Sequence, residues 1–515
     1  MITKRHLLTG AAAAGIATFG AGQGWAQFAA DPSQVAQATA VGHYQVDPNE
    51  LFDVIVIGAG TAGMPLAFQA AKRGKVLVID RGEMIGGTLH ITGGMMSAGG
   101  TRLQKRKGIV DSPQQLYDDT MRMGHGKANP EILRLYVDNA AQTIDWLEDI
   151  GLVYPDAQPL LGVHAEFQTR RYHGGARGGR SLLEVFLPRF LKAEAEGRIR
   201  VVLNSGAVEL VKDRSGAVTG VIAEDKAGRR TQYRGRNVVL TAGGTIRNPD
   251  AFKRYHGMGL FAERGYEHSQ GQGILIGEAA GGHVSGGSYF IGHPGSILRD
   301  RGYPSPVVGR ANLDPRRRAP WEVLVNAHGE RFVREDTPDI DRYERLLTDA
   351  PNMAGWAIWD QRIYDQAPPL LSGDRAEQEK RFAGHMMYAR ADTLEEAARR
   401  MGLPAERVVA TVADFNKGQA GGSDRFGRQH MPLPISQGPF YIVETYTSGV
   451  FSYAGLDVNE RLQVVTAEKK PIPNLYAAGE VIGGWQCAGD VVVNGCMVTP
   501  AITFGRLLGE RMLTI

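Results

Sequence analysis

Two rhythms of apolar positions alternate along this chain, and together they predict an α/β architecture. Leu51–Ile57 is an almost unbroken aliphatic run whose single charge is Asp53, the pattern of a strand buried on both faces. Helical spacing follows from Gly63 to Lys72, Gly74 ends it, and Lys75-Val76-Leu77-Val78-Ile79-Asp80 is a second strand. Strand, helix and strand in that order predict the start of a parallel, Rossmann-like sheet. A second half of this domain, implied by a family resemblance rather than by the rhythm, is expected over 441–515. Between these halves, over 251–440, the chain turns Pro-, Arg- and aromatic-rich and loses βαβ patterning. The expected plan is a nucleotide-binding domain in two parts, 45–250 and 441–515, around an inserted α+β capping domain. A length of 515 residues agrees with more than one core.

Residues 1–26 stand outside this plan. Lys4-Arg5, an Ala- and Gly-rich apolar stretch over 7–21 and small residues up to Ala26 read as a cleaved export signal. Thr3-Lys4-Arg5-His6-Leu7-Leu8 resembles a twin-arginine signal with Lys in place of the first Arg. That route exports proteins already folded, as one trapping a large cofactor requires, so a periplasmic location is expected. No other stretch approaches transmembrane length, so no stable membrane span is expected after signal removal.

Composition narrows the function. A chain with 43% hydrophobic and 22% charged residues is an ordinary globular protein. Its formal charge of +3, with dispersed Lys and Arg, excludes the basic stripe of a nucleic-acid binder. Sixty-seven glycines suggest many places where backbone approaches a bulky ligand. Cys487 and Cys496 match neither haem attachment nor an iron–sulfur cluster, and are read as two small buried thiols, with a disulfide between them as the alternative in an oxidising compartment.

Gly58-Ala59-Gly60-Thr61-Ala62-Gly63 joins the first strand to the helix. In such a turn Gly58 allows the sharp reversal, Gly60 brings amides to a pyrophosphate at the helix N-terminus, and Gly63 lets helix and strand pack closely. Asp80, followed by Arg81, lies about 20 residues further on, where a ribose hydroxyl needs an acceptor.

With these motifs the sequence resembles the FAD-binding fumarate reductase and 3-ketosteroid dehydrogenase superfamily, whose nucleotide domain is of the glutathione-reductase type. Gly86-Gly87-Thr88 and Gly93-Gly94 match the family's glycine-dense wrapping of FAD. Thr241-Ala242-Gly243-Gly244 matches its strand ending in A-T-G-G, preceded by the hairpin at Ala207-Val208. Gly479-Glu480 resembles the strand whose acid holds the ribityl chain, and Thr499-Pro500-Ala501 the last helix, whose amides face the flavin pyrimidine. The resemblance implies non-covalent FAD, because His90 stands nearer Gly93 than the histidine through which some relatives tether their flavin.

It also implies catalytic candidates. His293, in Gly292-His293-Pro294, would hydrogen-bond a substrate carbonyl or carboxylate, and the Gly495 amide would polarise a ketone. Glu335, ending Arg331-Phe332-Val333-Arg334-Glu335, would stand at the active-site edge. Tyr364, Arg362 or Tyr453 would exchange the proton. The Arg170-Arg171-Tyr172-His173 loop resembles one near flavin or substrate, with a charged turn as the alternative, and Arg316-Arg317-Arg318 reads as a solvated face. Phe451-Ser452-Tyr453 replaces the His-Thr of dicarboxylate reductases. Asp490 stands in the segment where they carry an arginine, and it would repel a dianion. The implied reaction is dehydrogenation of a CH–CH bond beside a carbonyl or carboxylate, or the reverse ene reduction. A neutral or singly charged substrate and an external acceptor or donor, such as a cytochrome or quinone-linked protein, are expected. The alternatives are an FAD oxidase of alcohols or amines and an exported flavin electron carrier.

Overall fold

The computed structural model describes residues 46–162 and 168–515, so the expected export signal lies outside the described residues. Among these residues no helix is long and apolar enough to cross a membrane.

The chain enters on β1 (Leu51–Ile57), turns into α1 (Gly63–Ala70) and returns on β2 (Val76–Ile79), parallel to β1 with Val54 opposite Val76. A short ribbon, β3 (Met96–Ser97) and β4 (Tyr172–His173), precedes β5 (Ile199–Val202), which extends the sheet from β2. Next comes an antiparallel meander of β6 (Ser205–Lys212), β7 (Val218–Asp225) and β8 (Arg230–Leu240). Burial along β8 alternates in its first half and becomes continuous at its end. The first half has one wet face in the meander, whereas Val238, Val239 and Leu240 lie between two parallel strands and are covered on both faces.

The insert begins with β9 (Ala262–Glu263), α2 (Gln272–Ala279) and β10 (Val284–Ser285). Then follow β11 (His293–Leu298), β12 (Ser305–Arg310), β13 (Val323–Val325), α3 (Ile340–Thr348), β14 (Ala354–Asp360) and α4 (Gln361–Gln366). β15 (Tyr388–Ala391) and β16 (Phe440–Ser448) complete its sheet, of order β13-β14-β16-β11-β12-β9 with β15 also on β16. After β17 (Gly455–Leu456), β18 (Gln463–Val465) and β19 (Pro471–Ala477) close the first sheet, and α5 (Val498–Leu507) packs beside α1.

Two boundaries differ from expectation. β9 joins the cap sheet but Ile274 and Ile276 of α2 return to the nucleotide-domain core, so the chain crosses between the domains more than once after 251. β16 pairs with β14 and β11, so the cap sheet runs past 440 to Ser448. Each domain has its own core. A third cluster, including Ile246, Phe290, Met353, Tyr453 and Val492, joins residues from both. In the first sheet, of order β18-β19-β8-β1-β2-β5, the connections run in opposite directions on the two sides of β1. The ligand crevice of an open parallel sheet lies at such a reversal.

Candidate active site

At the carboxyl end of β1 the backbone forms a cradle. The Gly58 amide donates to the Ile79 carbonyl (2.8 Å), and the Thr241 hydroxyl donates to the Ile57 and Gly58 carbonyls (2.9 and 2.7 Å). Gly63 lies so close to the Gly58 carbonyl that a methyl there would overlap it. The N-terminus of α1 has no side-chain cap and no acid in its first turn, which leaves its amides and dipole for an anion. α5 likewise starts without a side-chain cap. Gly479 sits between the two helices, 3.2 Å from Ala62 and 3.8 Å from Ala501 for an added methyl. Thr61 and Thr88 hydroxyls meet at 3.1 Å, and the Gly86 amide donates to the Ala59 carbonyl (2.8 Å), so Gly86-Gly87-Thr88 closes over the turn. Cys487 and Cys496, both buried and unpaired, line a narrow cavity here with Gly479, Pro500 and Ala501.

Polar groups finish the cradle. Asp80 accepts from the Ala59 and Gly82 amides, each at 2.7 Å, and burial holds its carboxyl above the ordinary range. Arg81 turns to Gln270 and Gln272 (2.8 and 3.2 Å). Ala207-Val208 lies on β6, and Ala242-Gly243 follows β8 beside Ser269. Gly93-Gly94 packs on the chain's own backbone at Gly178. Glu480 accepts from the Ser452 amide (2.8 Å), and burial pushes it up to about 7. Uncapped helix termini, a turn too tight for a side chain at Gly58 and Gly63, and an acid with no cationic partner among the described residues fit an FAD. Were cofactor hydroxyls to donate to the carboxylate form of Glu480, FAD affinity would rise as pH increases through about 7. Fluorescence titrations should show this slope in the wild type and a flatter one in Glu480→Gln.

The far edge of the cradle meets the cap. Gly495 (φ +81°) abuts Ser97, whose amide donates to the Thr499 hydroxyl (2.8 Å) and whose hydroxyl donates to the Asn494 carbonyl (2.6 Å). Ser97 pairs with Tyr172 across β3 and β4. Burial holds the Tyr172 phenol above its usual range, opposed by the nearby charge of Arg317. Arg317 in turn acts on Arg310, and Arg310 donates to the Pro294 carbonyl (3.4 Å). Next to it the His293 imidazole lies 3.4 Å from Glu344, a carboxylate suited to fixing the ring's orientation. Gly495, Ser97, Tyr172, Arg317, Arg310 and the His293-Pro294 turn thus form a run of neighbours from the cradle edge to the cap.

Other candidates lie elsewhere. Asp360, which opens α4, pairs with Phe440, whereas His293 pairs with Ser448 at the other end of β16. Eight residues of strand put Asp360, from which α4 with Arg362 and Tyr364 starts, roughly 26 Å from His293. Tyr364 instead stacks on Tyr441 (4.7 Å) and bonds Gln378 (3.2 Å). Tyr453 is wholly buried in the junction cluster and its hydroxyl donates to the Val491 carbonyl (2.9 Å), so it is not presented to a substrate; burial raises its phenol well above the usual range. Glu335 is 1% exposed and bound by Arg331 (2.6 Å) and Arg428 (3.3 Å), an interior ion cluster rather than an active-site edge. Asp490 is neutralised by His125 (2.8 Å) and Lys127 (2.6 Å), so it does not present a bare repelling charge. Arg318 is no solvated residue but is buried on Glu322 (2.8 Å). Arg171 is buried on Asp111 (2.8 Å) and Asp119 (2.5 Å). Tyr172 was legible only as part of a loop near the site, because nothing in its immediate sequence signals that Arg317 will face it.

The family model for the FAD binding domain matches residues 53–489. A probable fumarate reductase of Shewanella frigidimarina is 28% identical over 484 residues, covering 93% of this chain and 77% of its own. The solved open conformation of a flavocytochrome c3 fumarate reductase is 26% identical with a TM-score of 0.69, over 95% of this chain and 82% of that one. A 3-ketosteroid dehydrogenase of Rhodococcus jostii, 23% identical, shares the fold with a TM-score of 0.64 over 93% of this chain and all of its own. The cradle accounts for the match: the chain belongs to the FAD binding domain family and is an FAD-dependent oxidoreductase.

Proposed function

We propose that the protein moves a hydride between FAD and a carbon–carbon bond next to a carbonyl or carboxylate. The reading is supported by the run of neighbours from Gly495 and Tyr172 at the cradle edge, through the charges of Arg317 and Arg310, to the Pro294 carbonyl beside His293. Relatives named fumarate reductase support the reaction class. FAD supplies a two-electron hydride carrier when bound. In the reducing direction, hydride goes to the β carbon and a proton to the α carbon, so an alkene becomes a saturated bond. His293, steadied by Glu344, donates to the substrate oxygen and draws charge off the α carbon, and the Gly495 amide adds a second donor. Tyr172 gives the proton: burial keeps its phenol protonated, and Arg317 favours the phenolate that remains. Dehydrogenation reverses each step.

FAD is held non-covalently in this reading, since His90 Nε2 lies 2.9 Å from the Ile85 carbonyl. Export by the twin-arginine route rests on residues 3–8, and a periplasmic cytochrome or quinone-linked protein would then exchange the electrons. The test is anaerobic reoxidation of the reduced flavin by a panel of enones, steroid enones and enoates. At least one should restore the yellow oxidised form stoichiometrically, and Tyr172→Phe should slow that step by about 10²–10⁴-fold with the FAD spectrum unchanged. No response to any alkene, together with peroxide release from an alcohol or amine, would point instead to an oxidase.

A further inference from the structure

The fully buried arginines of this protein are matched by carboxylates: Arg171 by Asp111, Arg318 by Glu322, Arg331 by Glu335 and Asp424, and Arg428 by Glu335. Two half-buried ones beside the His293-Pro294 turn are not. Arg264, just after β9, donates only to the Ser448 hydroxyl (3.4 Å), which itself donates to the His293 carbonyl (3.4 Å). Arg310, at the end of β12, directs its guanidinium to the Pro294 carbonyl (3.4 Å) and stands opposite Ser296, whose hydroxyl meets Ser448 at 2.9 Å. Among the described residues no carboxylate pairs with either. The nearby acids are engaged: Glu263 by Arg247 (2.9 Å), Asp314 by Arg317 (3.4 Å), and Glu344 lies against His293. Burial holds both guanidiniums below their usual range, aided by Arg310 acting on Arg264 and Arg317 acting on Arg310. Two half-buried like charges without a counter-ion are unfavourable, and an anion bound between them removes that cost while making charge-assisted hydrogen bonds.

We propose that Arg264 and Arg310 form an anion subsite on either side of the His293-Pro294 turn, and that it takes a carboxylate carried by the substrate. The inference deepens the proposed function and rests on its placing of the substrate beside His293. It also answers the charge question: the subsite replaces the clamp missing from the segment around Asp490, at a different place in the fold. The substrate class is then an unsaturated carbonyl compound bearing a carboxylate.

Calorimetric titration of the FAD-loaded full chain with benzoate and benzamide tests this, because the two differ in charge and neither offers an isolated alkene. Benzoate should bind at least about ten-fold more tightly. Arg264→Met and Arg310→Met should each weaken benzoate by about ten-fold or more and leave benzamide unchanged, while Arg264→Lys recovers part of the loss. Equal binding of the two probes, absence of benzoate binding, or methionine variants with wild-type benzoate affinity would overturn the subsite. Should a methionine variant fail to fold, the wild-type pair and Arg264→Lys decide. Benzoate selectivity without any alkene reoxidising the flavin would sink the proposed reaction and leave the subsite standing. The reverse result would do the opposite.

Discussion

Gly63→Ala should yield a colourless protein. The new methyl would overlap the Gly58 carbonyl and lie 2.9 Å from the Thr241 hydroxyl. Neither can retreat, because the Gly58 amide is bonded to β2 and Thr241 is bonded to both the Ile57 and Gly58 carbonyls. α1 must therefore move off β1, and its N-terminal amides leave the cofactor's pyrophosphate position. Two lost hydrogen bonds to a charged group, about 1.5–3 kcal/mol each, weaken FAD on the order of 10²–10⁴-fold. Flavin absorbance after gel filtration reads the loss, and fluorescence titration gives its size. Gly384→Ala, where an added methyl meets nothing within 4 Å, is the control that should stay yellow. A Gly63→Ala protein as yellow as the control would refute the cradle as described.

Glu335→Ala should cost the cap about 3–5 kcal/mol, the effect of removing one partner from a buried ion pair. Arg331 and Arg428 have fully buried side chains, so the loss leaves Arg331 with Asp424 as its one paired carboxylate and Arg428 with the backbone carbonyls of Pro320, Glu322 and His430. The Glu335 carboxylate also accepts from the Leu324 amide (3.1 Å), which ties β13 to the cluster. The midpoint of chemical denaturation should fall sharply, whereas an active-site role predicts intact stability with lost turnover. A variant as stable as the wild type would overturn the structural assignment.

The cradle was legible because its chemistry is local. Gly58, Gly60, Gly63 and Asp80 lie on one βαβ unit, so their spacing along the chain is nearly their spacing in space. The second half of the cradle, at Gly479 and Thr499, was read through resemblance, since over 400 residues separate it from the first. The cap was harder. Arg331-Phe332-Val333-Arg334-Glu335 has the same appearance whether Glu335 faces a substrate or Arg428, a partner 93 residues away. The Tyr364 and Arg362 assignment failed because a motif on α4 carries no record of which end of β16 it will reach.

Sequence by itself determined the parallel nucleotide sheet, the FAD and an inserted second domain, because buried strands and glycine turns write their requirements into consecutive residues. Only the tertiary structure decided which polar side chains meet. It buried Tyr453 and Glu335, quenched Asp490 with Lys127, and left Arg264 and Arg310 within reach of each other's charge with no carboxylate partner among the described residues. A charge's role depends on what surrounds it within a few ångströms, and those neighbours come from strands distant in the chain.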